Sequence, residues 1–437
     1  MTSDRELVIS HSSLVICFRL SISRRPPVTQ KISNHSFPCG LTLVAEEMPW
    51  LESAAFALLM PAGCAYEPAD KLGLASLTCE MAQRGAGERD SRQFLADLEN
   101  LGADSSASVS IAHTTVGGAM PAESLPQVLS IFSDLVQRPH LPEDQLEDAR
   151  LGCLQEVKAI EDDLAQKTMQ QLRLSHYAAP WGRSSQGTEV TVSGLSIADV
   201  RQQFETLYSP RGAILSVAGK IDWPRLKDDV ERLFGAWQPT TKAKIDETPT
   251  LRHYQHLAVD SSQTHIGIAI DAVPYSSPDY FQIRGAVGVL SDGMSSRLFS
   301  EVREKRGLVY TVHAGMHSLR DRGAILAYAG TTAERAQETL DVMLAELRRL
   351  YDGITADEID RLKGRIKRAL IIQQESSPSR AGSIALDWYY LSRVRMVVEL
   401  SQIIDNLTAD SINAYLATHR PSQFTVTTVG RDKLQVT

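Results

Sequence analysis

The stretch His140-Leu-Pro-Glu-Asp-Gln-Leu-Glu-Asp-Ala-Arg150 is matched by Gly353-Ile-Thr-Ala-Asp-Glu-Ile-Asp-Arg-Leu-Lys363 in the second half of the chain. Each contains a turn, an acidic helix start and an amphipathic continuation. A second pair, residues 215–219 and 426–430, is matched at nearly the same offset, 211 residues against 213 for the first pair. A repeat of that length indicates two duplicated domains, because the units of a solenoid span about 20–50 residues.

Size and composition favour a globular protein with more than one core. The chain has 437 residues, a net charge of −8 and 43% hydrophobic residues, which is too long for a single ordinary core. The negative balance argues against nucleic acid as the main partner. Apolar runs of 18 residues are absent from the sequence, so neither a transmembrane helix nor a membrane partner is expected.

The cysteines indicate a reducing compartment. The sequence has five, widely scattered and without a C-x-x-C pair, which is unlike the disulfide framework of a small secreted protein. Reduced thiols and a cytoplasmic location are therefore expected.

Four segments are predicted along the chain. Residues 1–31 are expected to be disordered or to follow from a wrongly assigned start. The acidic Asp4 and Glu6 speak against a secretory signal, and the Ser- and Arg-rich composition leaves a transit peptide open. An N-terminal domain is predicted over 32–237 and a C-terminal domain over 248–437. The polar, aperiodic stretch 238–247 reads as the linker between them.

Within each half, strands cluster among helices without strict alternation, which favours an α+β architecture. The predicted strands are 41–45, 54–60, 265–270, 311–316 and 323–331, with a hairpin over 105–119. The predicted helices are 72–84, 91–101, 125–138, 142–177 (long or broken), 280–290, 297–305, 333–351 and 356–375.

A first candidate site lies in residues 61–81, a glycine-bearing strand end followed by an acidic residue, a loop and a helix. This segment resembles the G-x-x-H-x-x-E-H-M stretch of the pitrilysin/insulinase-type zinc peptidases. In that inverzincin family the two histidines bind zinc and the glutamate is the general base. Gly73 and Met81 keep the frame. The ligand positions are Ser76 and Glu80, and the base position is Cys79.

The resemblance also implies a third ligand position, a glutamate 76 residues beyond Glu80, which falls on Glu156. Cys79, Glu80 and Glu156 are residue types that can bind zinc. With Cys79 as a ligand, however, no general base remains at its place, and no histidine lies between His35 and His113. We expect this chain to bind no metal, with an atypical site as the alternative.

A second candidate site lies in residues 291–310, which are similar to the family's G-x-x-S-R-L-F-x-x-x-R-x-x-x-G-L-x-Y segment. The resemblance implies that Arg303 and Tyr310 reach across a chamber to the scissile peptide bond. A guanidinium and a phenol are suitable donors to the oxyanion that forms there. The alternative is that Arg303 pairs with Glu301 or Glu304 and that Tyr310 only caps a core.

The resemblance extends from about residue 32 onward and is closest to the short, two-domain members similar to mitochondrial processing peptidase subunits. It implies two homologous α+β domains, each a mainly antiparallel sheet with helices packed on one face, forming a clamshell chamber. Such subunits pair, with zinc on one of them. We expect a non-catalytic subunit that binds peptide beside a zinc-bearing paralogue. The alternatives are an independent metallopeptidase with an atypical site and a non-enzymatic core or scaffold subunit.

Overall fold

The computed structural model describes residues 30–241, 244–373 and 375–436. Except for its last two residues, the N-terminal segment 1–31 lies outside the described residues. Two residues of the predicted linker, Lys242 and Ala243, also lie outside them.

Two separate sheets form the centres of the two halves. The first contains six strands in the order β1-β2-β8-β3-β7-β6, and the second contains five in the order β11-β12-β10-β13-β9. The strands, including a two-residue hairpin of β4 and β5, are β1 Lys31–Ser36, β2 Thr42–Glu47, β3 Ser53–Met60, β4 Gly85–Ala86, β5 Arg89–Asp90, β6 Asp104–Val109, β7 Thr114–Pro121, β8 Ile214–Gly219, β9 Gln255–Ala258, β10 Gln263–Ala272, β11 Val309–Ser318, β12 Gly323–Thr332 and β13 Thr425–Gly430.

The two sheets share one topology. In each, a single parallel pair (β2 with β8, β9 with β13) adjoins a run of antiparallel neighbours. The strand order β2-β8-β3-β7-β6 in the first sheet corresponds to β9-β13-β10-β12-β11 in the second, and β1 is an addition at the edge. The predicted α+β class and the duplication of the domain are therefore confirmed.

The helices repeat in the same way. They are α1 Leu74–Ala82, α2 Ser91–Asn100, α3 Leu125–Gln137, α4 Leu146–Asp162, α5 Leu164–His176, α6 Glu189–Gly194, α7 Ile197–Leu207, α8 Trp223–Phe234, α9 Tyr280–Ser291, α10 Ala336–Leu350, α11 Ala356–Gln373, α12 Ser377–Leu391, α13 Val397–Asn406 and α14 Ala409–Thr418. The order α3-α4-α5 before β8 recurs as α10-α11-α12 before β13, with α3 beginning at Leu125 and α10 at Ala336.

The structure defines two of the predicted helices more closely. The helix predicted over 142–177 as long or broken is broken, into α4 and α5 at Asp163, whose side chain accepts hydrogen bonds from the first backbone N–H groups of α5. The helix predicted over 297–305 is instead a short π-helix, Phe299–Glu304. A π-helix closes i→i+5 hydrogen bonds where an α-helix closes i→i+4, and the apolar periodicity of six residues is too short to distinguish the two.

Each sheet also carries, on its second face, a helix from the other half of the chain. Helix α12 packs on β2, β3 and β8 of the first sheet, where Ile384 and Ala385 contact Val44, Leu59 and Ile214. Helix α5 packs on β10 and β13 of the second sheet. The two halves have therefore exchanged equivalent helices.

Buried polar contacts fix both exchanged helices. Arg380 of α12 donates from Nε to Oε2 of Glu46 on β2 at 2.7 Å, and both side chains are 3% exposed. Ser216 of β8 donates to the carbonyl of Ala381 at 2.6 Å. On the other sheet, His176 of α5 is hydrogen-bonded through Nδ1 to Thr425 of β13 at 3.0 Å.

No helix among the described residues is both long enough and apolar enough to cross a bilayer.

Candidate functional site

Helix α1, which carries the first candidate residues, is held at its N-terminus by Glu67. The buried carboxylate of Glu67 accepts hydrogen bonds from the backbone N–H groups of Ala75 (2.7 Å) and Gly73 (3.2 Å). These groups have no partner inside the helix, so the side chain takes the place of a cap. Burial raises the pKa of Glu67 to about 7, although the two hydrogen bonds and the charge of Arg183 act in the opposite direction.

A close backbone approach fixes the position of α1. Gly73 has φ +90°, and a Cβ there would lie 2.7 Å from Val192 Cγ2. A Cβ on Gly187 would lie 2.3 Å from the carbonyl oxygen of Leu72. Only glycine fits at these two contact points, because one needs a left-handed backbone and the other leaves no space for a methyl group. The segment 185–187 therefore presses directly on the start of the helix.

Ser76 and Cys79 are engaged on the protein side of α1. The Ser76 hydroxyl donates to the carbonyl of Ser185 at 2.7 Å. Cys79 is 6% exposed, and burial raises the pKa of its thiol to about 12, with the charge of Glu80 adding to the effect and a contact with Tyr208 opposing it. Near pH 7 such a thiol stays protonated and does not serve as a general base, and its side chain faces the protein interior.

The two glutamates lie on the solvent side. Glu80 is 47% exposed and its Oε1 lies 3.8 Å from Nη2 of Arg84, one turn along the same helix. Glu156 is an exposed residue of α4. Burial raises the pKa of Cys153 to about 12, and the charges of Glu156 and Glu80 add to it, so the structure places both carboxylates in one neighbourhood. In the described part of the chain, no group of three or more His, Cys, Asp or Glu side chains is arranged to hold a metal ion.

Arg303 and Tyr310 form the second candidate site, on the C-terminal half. Cζ of Arg303 lies 4.9 Å from the ring centroids of both Phe299 and Tyr310. Tyr310 is 82% exposed, so it does not cap a core. Glu301 is paired instead with Lys305 at 2.6 Å.

Within the described ranges Arg303 forms no ion pair, and no hydrogen bond joins it or Tyr310 to the residues of α1. The two candidate sites are thus separate groups of side chains. The arginine is held over two rings by cation–π contacts, with its remaining donors free.

A cavity of about 360 Å³ lies between the halves, where the resemblance implies a chamber, but its lining residues are not among those predicted from the sequence. Helix α5, the segment 184–186 and strands β11 and β12 line it. The cavity lies next to Ser185, which is the hydrogen-bond partner of Ser76. It is therefore beside the N-terminal part of α1. A lone arginine or glutamine on a helix carries no sequence signal for such a cavity, so only the folded chain reveals it.

Two family descriptions match most of the chain. Residues 42–188 match "Insulinase (Peptidase family M16)" and residues 194–366 match "Peptidase M16 inactive domain". The first region contains α1 and the whole run from β2 to α5, and the second contains the π-helix and β11.

Curated relatives and solved structures agree with these matches over nearly the full length. The chain is similar to an "Uncharacterized zinc protease" of Rickettsia felis, 24% identical over 85% of this chain and 91% of that one. It is also similar to "Uncharacterized zinc protease YmxG" of Bacillus subtilis, 25% identical over 87% of this chain and 94% of that one. The crystal structure of a peptidase M16 inactive domain from Pseudomonas fluorescens superposes with a TM-score of 0.85 at 21% identity, covering 93% of this chain and 100% of that one.

Proposed function

This chain belongs to the insulinase-type M16 family of peptidases, and from that premise we propose that it is the non-catalytic subunit of a heterodimeric zinc peptidase. In this proposal it binds peptides or unfolded segments, while the zinc lies on a paralogous partner. Arg303 and Tyr310 act on the substrate and on the transition state formed at the partner's metal.

The observation that carries the proposal is the chemistry of the donors on α1 and α4. Zinc needs deprotonated, converging ligands. The hydroxyl of Ser76 is committed to Ser185, and the thiol of Cys79 is buried and protonated. Two exposed carboxylates remain, Glu80 and Glu156. These residues do not fit a catalytic zinc ion, and we assign no reaction step to a metal on this chain.

Arg303 and Tyr310 support the other part of the proposal. A guanidinium that has no carboxylate partner in the described ranges, and a phenol that is 82% exposed, keep their hydrogen-bond donors available to another molecule. Donors that are already placed where charge develops in the transition state contribute most to acyl-transfer chemistry. This placement suits a role toward a metal site on a facing subunit.

Peptide binding is supported by the edge of the first sheet. Strand β6 pairs with β7 on one side only, and side chains of Asp104, Ser105 and Ser106 are exposed. An extended peptide can add to such an edge through backbone hydrogen bonds, which recognises the chain with little sequence preference. The four described cysteines are free thiols, in keeping with a proposed cytoplasmic location.

The test is a peptidase assay on the purified chain, alone and mixed with a homologue that carries an intact H-x-x-E-H motif. We expect no stoichiometric zinc and no cleavage by the chain alone, and cleavage by the mixture. Arg303→Ala should lower kcat of the mixture by about 100-fold, the usual effect of removing one oxyanion donor. Arg232→Ala, an exposed arginine of α8, is the matched control and should leave kcat unchanged.

Two results would contradict the proposal. Unaltered turnover with Arg303→Ala would remove the role of the arginine. Chelator-sensitive cleavage and stoichiometric zinc in the chain alone would show an atypical metallopeptidase that uses Cys79, Glu80 and Glu156.

A further inference from the structure

The cavity between the halves contains a cation that nothing assigned so far explains. Arg173 of α5 lines the cavity together with Gln170, Gln186 and Ser184. It is half-buried, with Leu172 beside it packed on the second sheet. A guanidinium held in this way has lost part of its hydration, and folded proteins normally compensate such a loss with a carboxylate.

Arg173 has no such compensation in the described part of the chain. Its guanidinium donates no hydrogen bond and forms no ion pair there. Burial lowers the pKa of Arg173, and the groups that oppose this effect are Tyr177 and Cys64. Burial raises the pKa of Tyr177 well above its usual value and that of Cys64 to about 12, so both are neutral near pH 7.

The acidic side chains at the starts of α5 and α1 are already engaged. Asp163, which begins α5, accepts hydrogen bonds from the backbone N–H of Ala165 and from the side chain of Gln166. Glu67 accepts from the start of α1. Among the described residues no carboxylate lines the cavity, which leaves Arg173 there as an unpaired positive charge facing an open space.

Neutral donors accompany that charge. Oε1 of Gln186 accepts hydrogen bonds from the hydroxyls of Ser184 (2.8 Å) and Ser185 (3.1 Å), so its NH₂ group is left to donate. The volume, about 360 Å³, lies at the lower end of the range for small-ligand pockets. A cation with adjacent N–H donors and no competing acid is a receptor for a carboxylate.

We propose that Arg173 makes this cavity a subsite for a carboxylate of the bound peptide, either an Asp or Glu side chain or the C-terminal group. The inference rests on the proposed peptide-binding function and adds a substrate preference to it. The carboxylate accepts hydrogen bonds from the guanidinium and from Gln186, and the bound peptide supplies the counter-charge that the fold omits.

The test compares three peptides of one sequence by calorimetric titration of the full chain. One carries a central Glu with blocked ends, the second has Gln at that position, and the third is the Gln peptide with a free C-terminus. We expect the wild type to bind one of the two carboxylate peptides about tenfold more tightly than the blocked Gln peptide. Arg173→Gln should remove that difference and leave the Kd of the blocked Gln peptide unchanged, whereas Arg232→Gln should behave as the wild type.

The three peptides identify which carboxylate is bound, and their results test this inference separately from the proposed function. A preference for the Glu peptide indicates a side chain, and a preference for the free C-terminus indicates the terminal group. Equal binding of all three peptides, or a preference that persists in Arg173→Gln, would overturn the inference and leave peptide binding intact. If none of the peptides binds, the peptide-binding function fails. In that case, thermal unfolding with N-acetylaspartate tests the anion site alone. The compound should raise the Tm of the wild type but not of Arg173→Gln, and an unchanged Tm of the wild type would overturn the inference.

Discussion

At the scale of single residues, two glycines fix the frame around α1, in which Ser76, Cys79 and Glu80 stand at the positions that the family resemblance assigns to zinc ligands and base. Gly73 adopts φ +90°, and the carbonyl of Leu72 leaves no room for a side chain on Gly187. Neither glycine can take part in catalysis through a side chain, so their role is to let segment 185–187 lie against the helix. The frame therefore contributes to folding, independently of any ion.

Gly73→Ala is expected to destabilise the protein by about 2 kcal/mol, because a side chain is strained at positive φ and its Cβ would collide with Val192. Gly152→Ala is the matched control in the interior of α4, where a Cβ meets no atom within 4 Å. It should stabilise the protein by about 0.5–1 kcal/mol. Urea denaturation measures both; an equal effect of the two substitutions would show that the close approach at Gly73 is unimportant.

At the scale of elements, periodicity predicted most of the helices and strands but not where they pack. Leu172 and Ile384 each lie on an apolar helix face. Such a face indicates that α5 and α12 are buried, but it does not indicate which sheet each helix covers. Their exchange depends on contacts between residues that are far apart in sequence. The frame of the first candidate site follows from residues 61–81, because these residues are close together in the sequence. The setting of Arg173 depends on distant segments, so the sequence does not indicate it. The significance of Arg173 comes from the absence of a partner in three dimensions.

The buried pair of Glu46 and Arg380 gives a test of the exchange. Glu46→Met should destabilise the protein by about 3 kcal/mol, because it leaves the guanidinium of Arg380 buried without a counter-charge. Adding Arg380→Met should recover most of the loss, since two apolar side chains can pack at this site. Glu52→Gln, which breaks the exposed pair with Lys220, should cost less than about 1 kcal/mol. Thermal unfolding distinguishes these variants, and a Glu46→Met protein as stable as Glu52→Gln would contradict the account.

At the scale of the whole molecule, the duplication seen in two short sequence matches extends to strand order, helix order and the exchanged pair. Each half supplies one layer of the other. The apolar residues Val44, Leu59 and Ile214 are covered by α12, and Ala269 and Leu326 are covered by α5. The sequence repeat predicted two domains, yet their mutual dependence is a property of the assembled chain.

Fragments 30–241 and 244–436 are therefore expected to be unstable separately and to recover native-like structure when mixed. Each fragment alone would expose the apolar face that the other one's helix covers, whereas the mixture restores both layers. Circular dichroism during heating is the measurement, with the intact chain as the reference. A cooperative transition of either fragment alone, at the Tm of the intact chain, would contradict this expectation.

The exchange of α5 and α12 also limits how a substrate can enter. Because each half covers the sheet of the other with a helix, the halves cannot separate without exposing apolar strand residues to water. A hinge motion at the connecting stretch near residue 240 would therefore cost apolar burial. We therefore expect the two halves to move together as one unit. In the proposed heterodimer, a polypeptide would then reach this chain through the space between the two subunits, without the halves of this chain moving apart.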